Sequence, residues 1–376
     1  MSGAGADKRA ILREKLDRLR RLIAERGLDL LLILDASFIN YLFPEGFSSR
    51  CATVSRDHAE LYVAPLDFER AHALYGDDVE VKVVYEAGDA KFWFGDKVVV
   101  QDLNKHLRDK VRGLRVGVDT AEHAHQLLSD ARSIALLAED LWLLRRSKSE
   151  KELELINRAV EITMQAINSV VPEIEKGVRE YEVAAKLEHA MRLQGCEDHA
   201  FNTIVAFGVN TSYPHHIPTG KQYDGESSII IDVGCKYCGY ASDITRTIVP
   251  SLERVEPRLR TVIEAVAEAL ERATSSVKEG ANASYIDGVA RTLLRERGLA
   301  EYFVHGLGHG IGVQVHERPR IAPSSREKLV VGDVFTIEPG VYIPEKFGVR
   351  IENDVAVTEG VRVLSGGLEK IIEFKR

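Results

Sequence analysis

Acids that close apolar runs are the side chains here with the most chemical promise. Ile229-Ile230-Ile231 leads into Asp232, Phe335-Thr336-Ile337 into Glu338, and Val349-Arg350-Ile351 into Glu352. A fourth acid, Asp243, stands eleven residues beyond Asp232, across a glycine-containing stretch able to make a hairpin. On such a hairpin both aspartates can lie on one sheet face. Burying a carboxylate is costly unless something positive meets it. For Asp243 alone, the plain reading is an ion pair with Arg246. Four carboxylates gathered at strand ends would instead repel one another and drive their pKa values up. Two divalent cations would bring four positive charges to balance them. His309 is the remaining ligand candidate, because the glycines of Gly306-Leu307-Gly308-His309-Gly310-Ile311-Gly312 let backbone and site approach closely.

Two other motifs compete for attention. The glycine stretch fails the dinucleotide pattern G-x-G-x-x-G, since Ile311 stands where glycine is needed, and it lacks the Gly-Lys-Ser/Thr ending of a phosphate loop. Cys235-Lys236-Tyr237-Cys238 has metal or redox spacing, but no second C-x-x-C exists and the pair falls in the expected hairpin turn.

The elements that must position these side chains divide into two unlike halves. Leu12, Leu16, Leu19 and Ile23 recur at helical spacing between Arg9 and Arg26, and Gly27 supplies a stop. Strand-like runs follow at Leu30–Leu34, Ala59–Val63, Val79–Tyr85, Lys97–Val100 and Leu114–Val118, as in a small α/β domain. The pattern changes near Arg146, which places one domain over residues 1–146 and a second over 147–376. Ser149 and Glu152 form a capping box for a helix carrying Leu153, Ile156, Val160 and Ile167 on one face, and a second helix is expected over Glu180–Leu193. Beyond it, strands near Asn202–Phe207, Ser228–Val233, Gly239–Val249, Val334–Glu338 and Val349–Val357 alternate with helices near Arg254–Lys278 and Ser284–Arg297. The second domain thus reads as α+β with mainly antiparallel pairing.

Taken together, Ile231-Asp232-Val233-Gly234, Ser242-Asp243-Ile244-Thr245-Arg246-Thr247, Gly308-His309-Gly310, Ile337-Glu338-Pro339-Gly340 and Arg350-Ile351-Glu352-Asn353 resemble, in order, the motifs of the pita-bread metallopeptidase family M24. That family contains prolidases, Xaa-Pro aminopeptidases and methionine aminopeptidases. Leu34-Asp35-Ala36-Ser37-Phe38-Ile39-Asn40-Tyr41-Leu42 resembles the creatinase-type amino-terminal domain of its proline-specific branch, which methionine aminopeptidases usually lack. The implied fold class is α+β, a small creatinase-like α/β domain followed by a pita-bread catalytic domain. The resemblance implies that Asp243 and Glu352 bridge two metals, that Asp232 completes one shell, and that His309 and Glu338 complete the other. It implies that His215 or its neighbour His216, in Pro214-His215-His216, faces the substrate, the separation from Asp232 suiting His215 better and leaving His216 to line the pocket, and that His316 meets the scissile group or its developing charge. Arg320 resembles the family arginine that meets a short substrate's carboxylate. The implied reaction is hydrolysis of an Xaa-Pro bond by water activated between two Lewis acids, with Glu338 as general base and His316 or His215 stabilising the tetrahedral intermediate. Oxygen-rich ligation suits Mn²⁺ or Co²⁺ first, then Zn²⁺ or Fe²⁺. Prolidase, which releases proline from dipeptides, leads over an aminopeptidase acting on longer peptides. His199-Ala200-Phe201 in place of a common Pro-Ser-Phe, and Phe207 where a small residue is frequent, bear on substrate preference.

Composition bounds these readings. The chain has 376 residues, 45% hydrophobic and 29% charged, which excludes collagen-like and disordered classes and suggests two domains. Fifty basic against 58 acidic residues leave a net charge of −8, with no broad footprint for nucleic acid. Four cysteines are too few for a disulfide scaffold. No apolar run approaches the roughly 20 residues of a membrane span, and Met1–Arg9 lacks the apolar core of a secretory signal, so the cytoplasm is expected. A homodimer is expected by resemblance. A metal-free binding protein on the same fold, or a creatinase-like hydrolase without metals, is the rival class; the five intact ligand candidates count against both.

Overall fold

The computed structural model describes residues 3–85, 99–122 and 129–374, which divide into two compact units, Met1–Arg145 and Arg146–Arg376. The amino-terminal unit opens with helix α1 (Gly3–Glu25), which buries Leu12, Leu16, Leu19 and Ile23, the stripe seen in the sequence. Its strands are β1 (Leu30–Ile33), β2 (Ser49–Val54), β3 (Ala59–Val63), β4 (Glu80–Val84), β5 (Val99–Val100), β6 (Arg115–Val118) and β7 (Ser133–Leu136). They form one mixed sheet in the order β5-β4-β3-β2-β1-β6-β7. Between strands run α2 (Ala36–Leu42), α3 (Phe68–Tyr75) and α4 (Leu103–Val111), and α5 (Ala138–Arg146) closes the unit. Asp35 caps α2 by accepting from the N–H groups of Ser37 and Phe38. Residues 97–98 of the expected strand Lys97–Val100 lie outside the described residues. Periodicity missed β2 and β7; the first is an unbroken buried run over its last four residues, and the second is largely exposed at the sheet edge, so neither alternates clearly.

The second unit begins with α6 (Glu150–Val170), whose capping box of Ser149 and Glu152 is formed as expected. Helix α7 (Glu180–Leu193) packs against it. Strands β8 (Asp198–His199), β9 (Ile204–Phe207), β10 (Ile229–Val233), β11 (Cys235–Tyr237), β12 (Tyr240–Ala241) and β13 (Ile244–Val249) follow. Helices α8 (Pro257–Ser275) and α9 (Ala283–Glu296) come next, then β14 (Gly308–Gly310), β15 (Glu317–Ile321), β16 (Val334–Ile337), β17 (Gly340–Ile343), β18 (Phe347–Arg350), β19 (Asn353–Val357), β20 (Val361–Val363) and β21 (Ile371–Glu373). One sheet runs β21-β13-β10-β9 and another β15-β14-β16-β19-β20, with pairing antiparallel except between β13 and β21. Val262, Ile263, Val266 and Leu270 of α8 and Ile286 and Leu294 of α9 pack with Phe335, Ile337, Val349, Ile351 and Val355 from the strands into one buried cluster. That cluster fixes the strands from which the acids project.

Two strands expected as continuous are broken. Gly239–Val249 is interrupted at Ser242–Asp243, and Val349–Val357 at Ile351–Glu352. At both breaks the backbone finds partners outside a regular ladder: Asp243 N donates to Asp354 Oδ2 at 3.0 Å, and Glu352 N to Thr245 O at 3.0 Å. Each break carries one of the candidate ligands.

Candidate active site

In the β10–β13 ladder Asp232 faces Thr245, and Asp243 lies two residues before Thr245. Alternation therefore puts both aspartates on one face, while Arg246 points to the other. The Asp243–Arg246 ion pair is accordingly not formed. Arg246, fully buried, donates instead to the carbonyl oxygens of Thr245, Glu352 and Glu369 and to Asn353 Oδ1.

His309 comes to the acids from β14. A Cβ on Gly308 would stand 1.9 Å from Thr336 O, and one on Gly310 would stand 2.2 Å from Arg318 O, so only glycine lets β14 lie this close to its neighbours. His309 Nδ1 lies 3.2 Å from Gly310 O, which leaves Nε2 as the lone-pair nitrogen. That Nε2 is 3.6 Å from Asp243 Oδ2 and 3.5 Å from Glu338 Oε1. Burial, with the charge of His316 next, pushes its pKa down to about 4, so the ring is neutral. An imidazole lone pair and two carboxylates converging at that spacing would offer a divalent cation its ligand atoms. Asp243, His309 and Glu352 each offer a ligand atom within 4.8 Å of the others.

The acids respond to one another. Burial first, and then the charge of Glu352, raises the pKa of Asp243 and of Glu338 well above the carboxylate range. Glu352 is pushed up to about 7 by burial and by Asp232. Asp354, fully buried behind them, is raised for the same reason. Asp232 Oδ1 is buried and has no hydrogen-bond partner, and the same holds for Asp354 Oδ1. An orphaned carboxylate oxygen among raised acids and a neutral imidazole is the donor set a hard or borderline divalent cation requires.

A second layer orients these ligands. Arg350 Nη2 donates to Asp232 Oδ2 at 2.6 Å, Nε to Thr245 Oγ1 at 3.1 Å and Nη1 to Tyr342 OH at 2.8 Å. Thr245 Oγ1 donates in turn to Glu352 Oε2 at 2.7 Å. His305 Nε2 lies 3.0 Å from Tyr342 OH, and burial pushes the His305 pKa down to about 4. Sequence reading passed over Thr245, His305, Tyr342 and Asp354. The signal available for the first and last was their two-residue spacing from Asp243 and Glu352.

His316 is exposed, with its ring centroid 4.3 Å from that of His309. His215 is exposed, and after burial its charge contributes to lowering the pKa of both His305 and His316. His216 Nε2 is 2.8 Å from Oε2 of buried Glu180. Arg320 stands opposite His309 in the β14–β15 ladder and is exposed, its side chain on the face His309 uses. Cys235 and Cys238 are buried and form no disulfide, and neither belongs to a group of three or more close ligand side chains among the described residues.

Residues 154–359 match the description Metallopeptidase family M24, and residues 15–135 match the Creatinase/Prolidase N-terminal domain. The chain belongs to metallopeptidase family M24. Its fold is therefore the creatinase-type domain followed by the family's pita-bread domain, and its chemistry is that of a peptidase that binds divalent metal. Over 351 residues it is 34% identical to the Xaa-Pro dipeptidase of Pyrococcus furiosus, covering 93% of this chain and 96% of the relative. The prolidase of Pyrococcus horikoshii superimposes with a TM-score of 0.77 at 30% identity, covering 95% of this chain and 99% of its own. The X-Pro aminopeptidase of Thermotoga maritima superimposes with a TM-score of 0.82 at 31% identity, over 95% and 99%. No helix among the described residues is long and apolar enough to cross a membrane.

Proposed function

We propose that this M24 protein is an Xaa-Pro dipeptidase working with two divalent cations, Mn²⁺ or Co²⁺ ahead of Zn²⁺ or Fe²⁺, held by Asp232, Asp243, His309, Glu338 and Glu352. The observation that carries the proposal is the gathering of Asp243, His309 and Glu352 beside the unpartnered Oδ1 of Asp232. The named dipeptidase relatives support the substrate class. Bound there, the cations supply Lewis-acid activation of water and polarise the scissile carbonyl. Glu338, next to His309, accepts the proton that water gives up. His316 and His215 direct ring N–H groups at the oxygen on which charge develops. Arg350 and Thr245 hold Asp232 and Glu352 in register. Arg320 meets a free carboxylate, which a dipeptide carries on the proline itself and a longer peptide does not.

Metal-depleted protein reloaded with Mn²⁺ or Co²⁺ is given Ala-Pro and Ala-Pro-Ala, with Glu338→Ala alongside, and products are read by mass spectrometry. Turnover of Ala-Pro alone is expected. Cleavage of both at the Ala-Pro bond would make the protein an aminopeptidase, and silence on both would return it to the metal-free binding class. The homodimer is tested by sedimentation equilibrium, where a single 42 kDa species would refute it.

A further inference from the structure

His215 sits on an exposed loop, a poor place for a group that must meet a substrate atom, unless the loop is held. Glu180, at the start of α7, has no solvent exposure and stands outside the ligand cluster. Its carboxylate accepts from Phe207 N at 2.8 Å and Asn210 Nδ2 at 2.8 Å on Oε1, and on Oε2 from Thr219 N at 2.9 Å and Thr219 Oγ1 at 2.6 Å. Oε2 also lies 2.8 Å from His216 Nε2. Five donors from one loop thus converge on one buried acid. Burial opposes the charge, but hydrogen bonds from Thr219 and His216 outweigh it and leave the pKa below the ordinary range, so Glu180 is ionised at neutral pH. On the other side of His215, Arg350 Nη1 donates to Pro214 O at 3.3 Å while Nη2 holds Asp232. The residue before His215 is tied to a ligand's partner, and the residue after it to Glu180.

We propose that Glu180 is a positioning residue: acting through His216 and the 207–219 loop, it fixes His215 at the distance from Asp232 that the reaction needs. The proposal rests on the Xaa-Pro reading for the reaction, but not for the placement of His215. A buried anion is suited to this task because it draws several donors at once, and losing it leaves all of them unsatisfied.

The test is a double-mutant cycle in the metal-loaded full chain, with Glu180→Gln and the milder Thr219→Val each made alone and with His215→Ala. Misplacement of a reacting group lowers kcat/KM on Ala-Pro by between about tenfold and 100-fold for Glu180→Gln, and by less for Thr219→Val. In the His215→Ala background neither change costs anything further. In Zn²⁺-loaded protein the His215 ring proton resonance, assigned by its absence in His215→Ala, shifts in both variants, while metal content stays at the wild-type value. A loss of the same size in the two backgrounds, or an unmoved His215 resonance, would overturn the proposal. Should the parent protein leave Ala-Pro intact, the reaction reading falls, and the ring resonance still decides whether Glu180 positions His215.

Discussion

The guanidinium of Arg350 reaches Asp232, Thr245, Tyr342 and the carbonyl of Pro214 at once, and is nearly fully buried. A lysine at that position offers a point charge in place of a planar fork and cannot reproduce all four contacts in their present geometry. Arg350→Lys is therefore expected to weaken Mn²⁺ binding by about 10-fold to 100-fold in calorimetric titration, as loss of an orienting partner commonly does. Unchanged affinity would mean that Asp232 is held by other means. His309→Ala removes the only nitrogen ligand proposed, and elemental analysis is expected to count one ion per chain where the parent holds two. At this scale the sequence was readable where a residue type is rare in its context: an acid closing an apolar strand, a histidine among glycines. Glu180 and the His305–Tyr342 pair carried no such mark, because the contacts Glu180 makes with Phe207 and Thr219, and the contact between His305 and Tyr342, span 27 to 39 residues of chain.

At the scale of elements, helices were read most faithfully. Their apolar faces repeat locally, and Ser149 with Glu152 marks a start that needs no tertiary contact. Strand breaks were not legible, since at the gaps before β13 and β19 the backbone is satisfied by distant Asp354 and Thr245, partners no local pattern announces. The closeness of β14 to β16 yields a prediction. Gly308→Ala places a methyl group against Thr336 O, and is expected to lower stability by about 3 kcal/mol in urea unfolding; a loss under about 0.5 kcal/mol would mean that β14 moves freely. In the amino-terminal sheet, Glu60 on β3 is buried among Lys82, Lys110, Thr53 and Tyr62. Burial opposes its charge, but hydrogen bonds from Lys110 and Lys82 prevail and set its pKa below the ordinary 4.5. A depressed carboxyl stabilises the fold above its unfolded value and loses that contribution as pH falls through the folded one. Glu60→Gln should then cost about 3 kcal/mol at pH 7 and progressively less below pH 4.5. Urea midpoints of both proteins at pH 7 and pH 3 decide it, and a gap that stays constant would refute the assignment.

On the scale of the whole chain, the five proposed ligands all belong to the second unit, Arg146–Arg376, and none to the first. The order of ligand motifs was visible in the sequence, whereas their convergence depends on long-range register that no local pattern encodes. Burial first, and then neighbouring carboxylates, raise the pKa values of Asp243, Glu338 and Glu352, and a bound cation would offset that repulsion. Saturating Mn²⁺ is expected to raise the Tm, and at a thousandfold excess over Kd it adds about 4 kcal/mol per site. Scanning calorimetry with and without chelator measures the shift, and coincident transitions would exclude tight binding to the folded state. Arg350 and Asp232 meet across 118 residues of chain, and Thr245 and Glu352 across 107. In polymer terms, a cation bound by residues from both segments of the folded chain would act as a reversible cross-link closing a loop of more than 100 residues, a closure whose entropic cost grows only slowly with loop length.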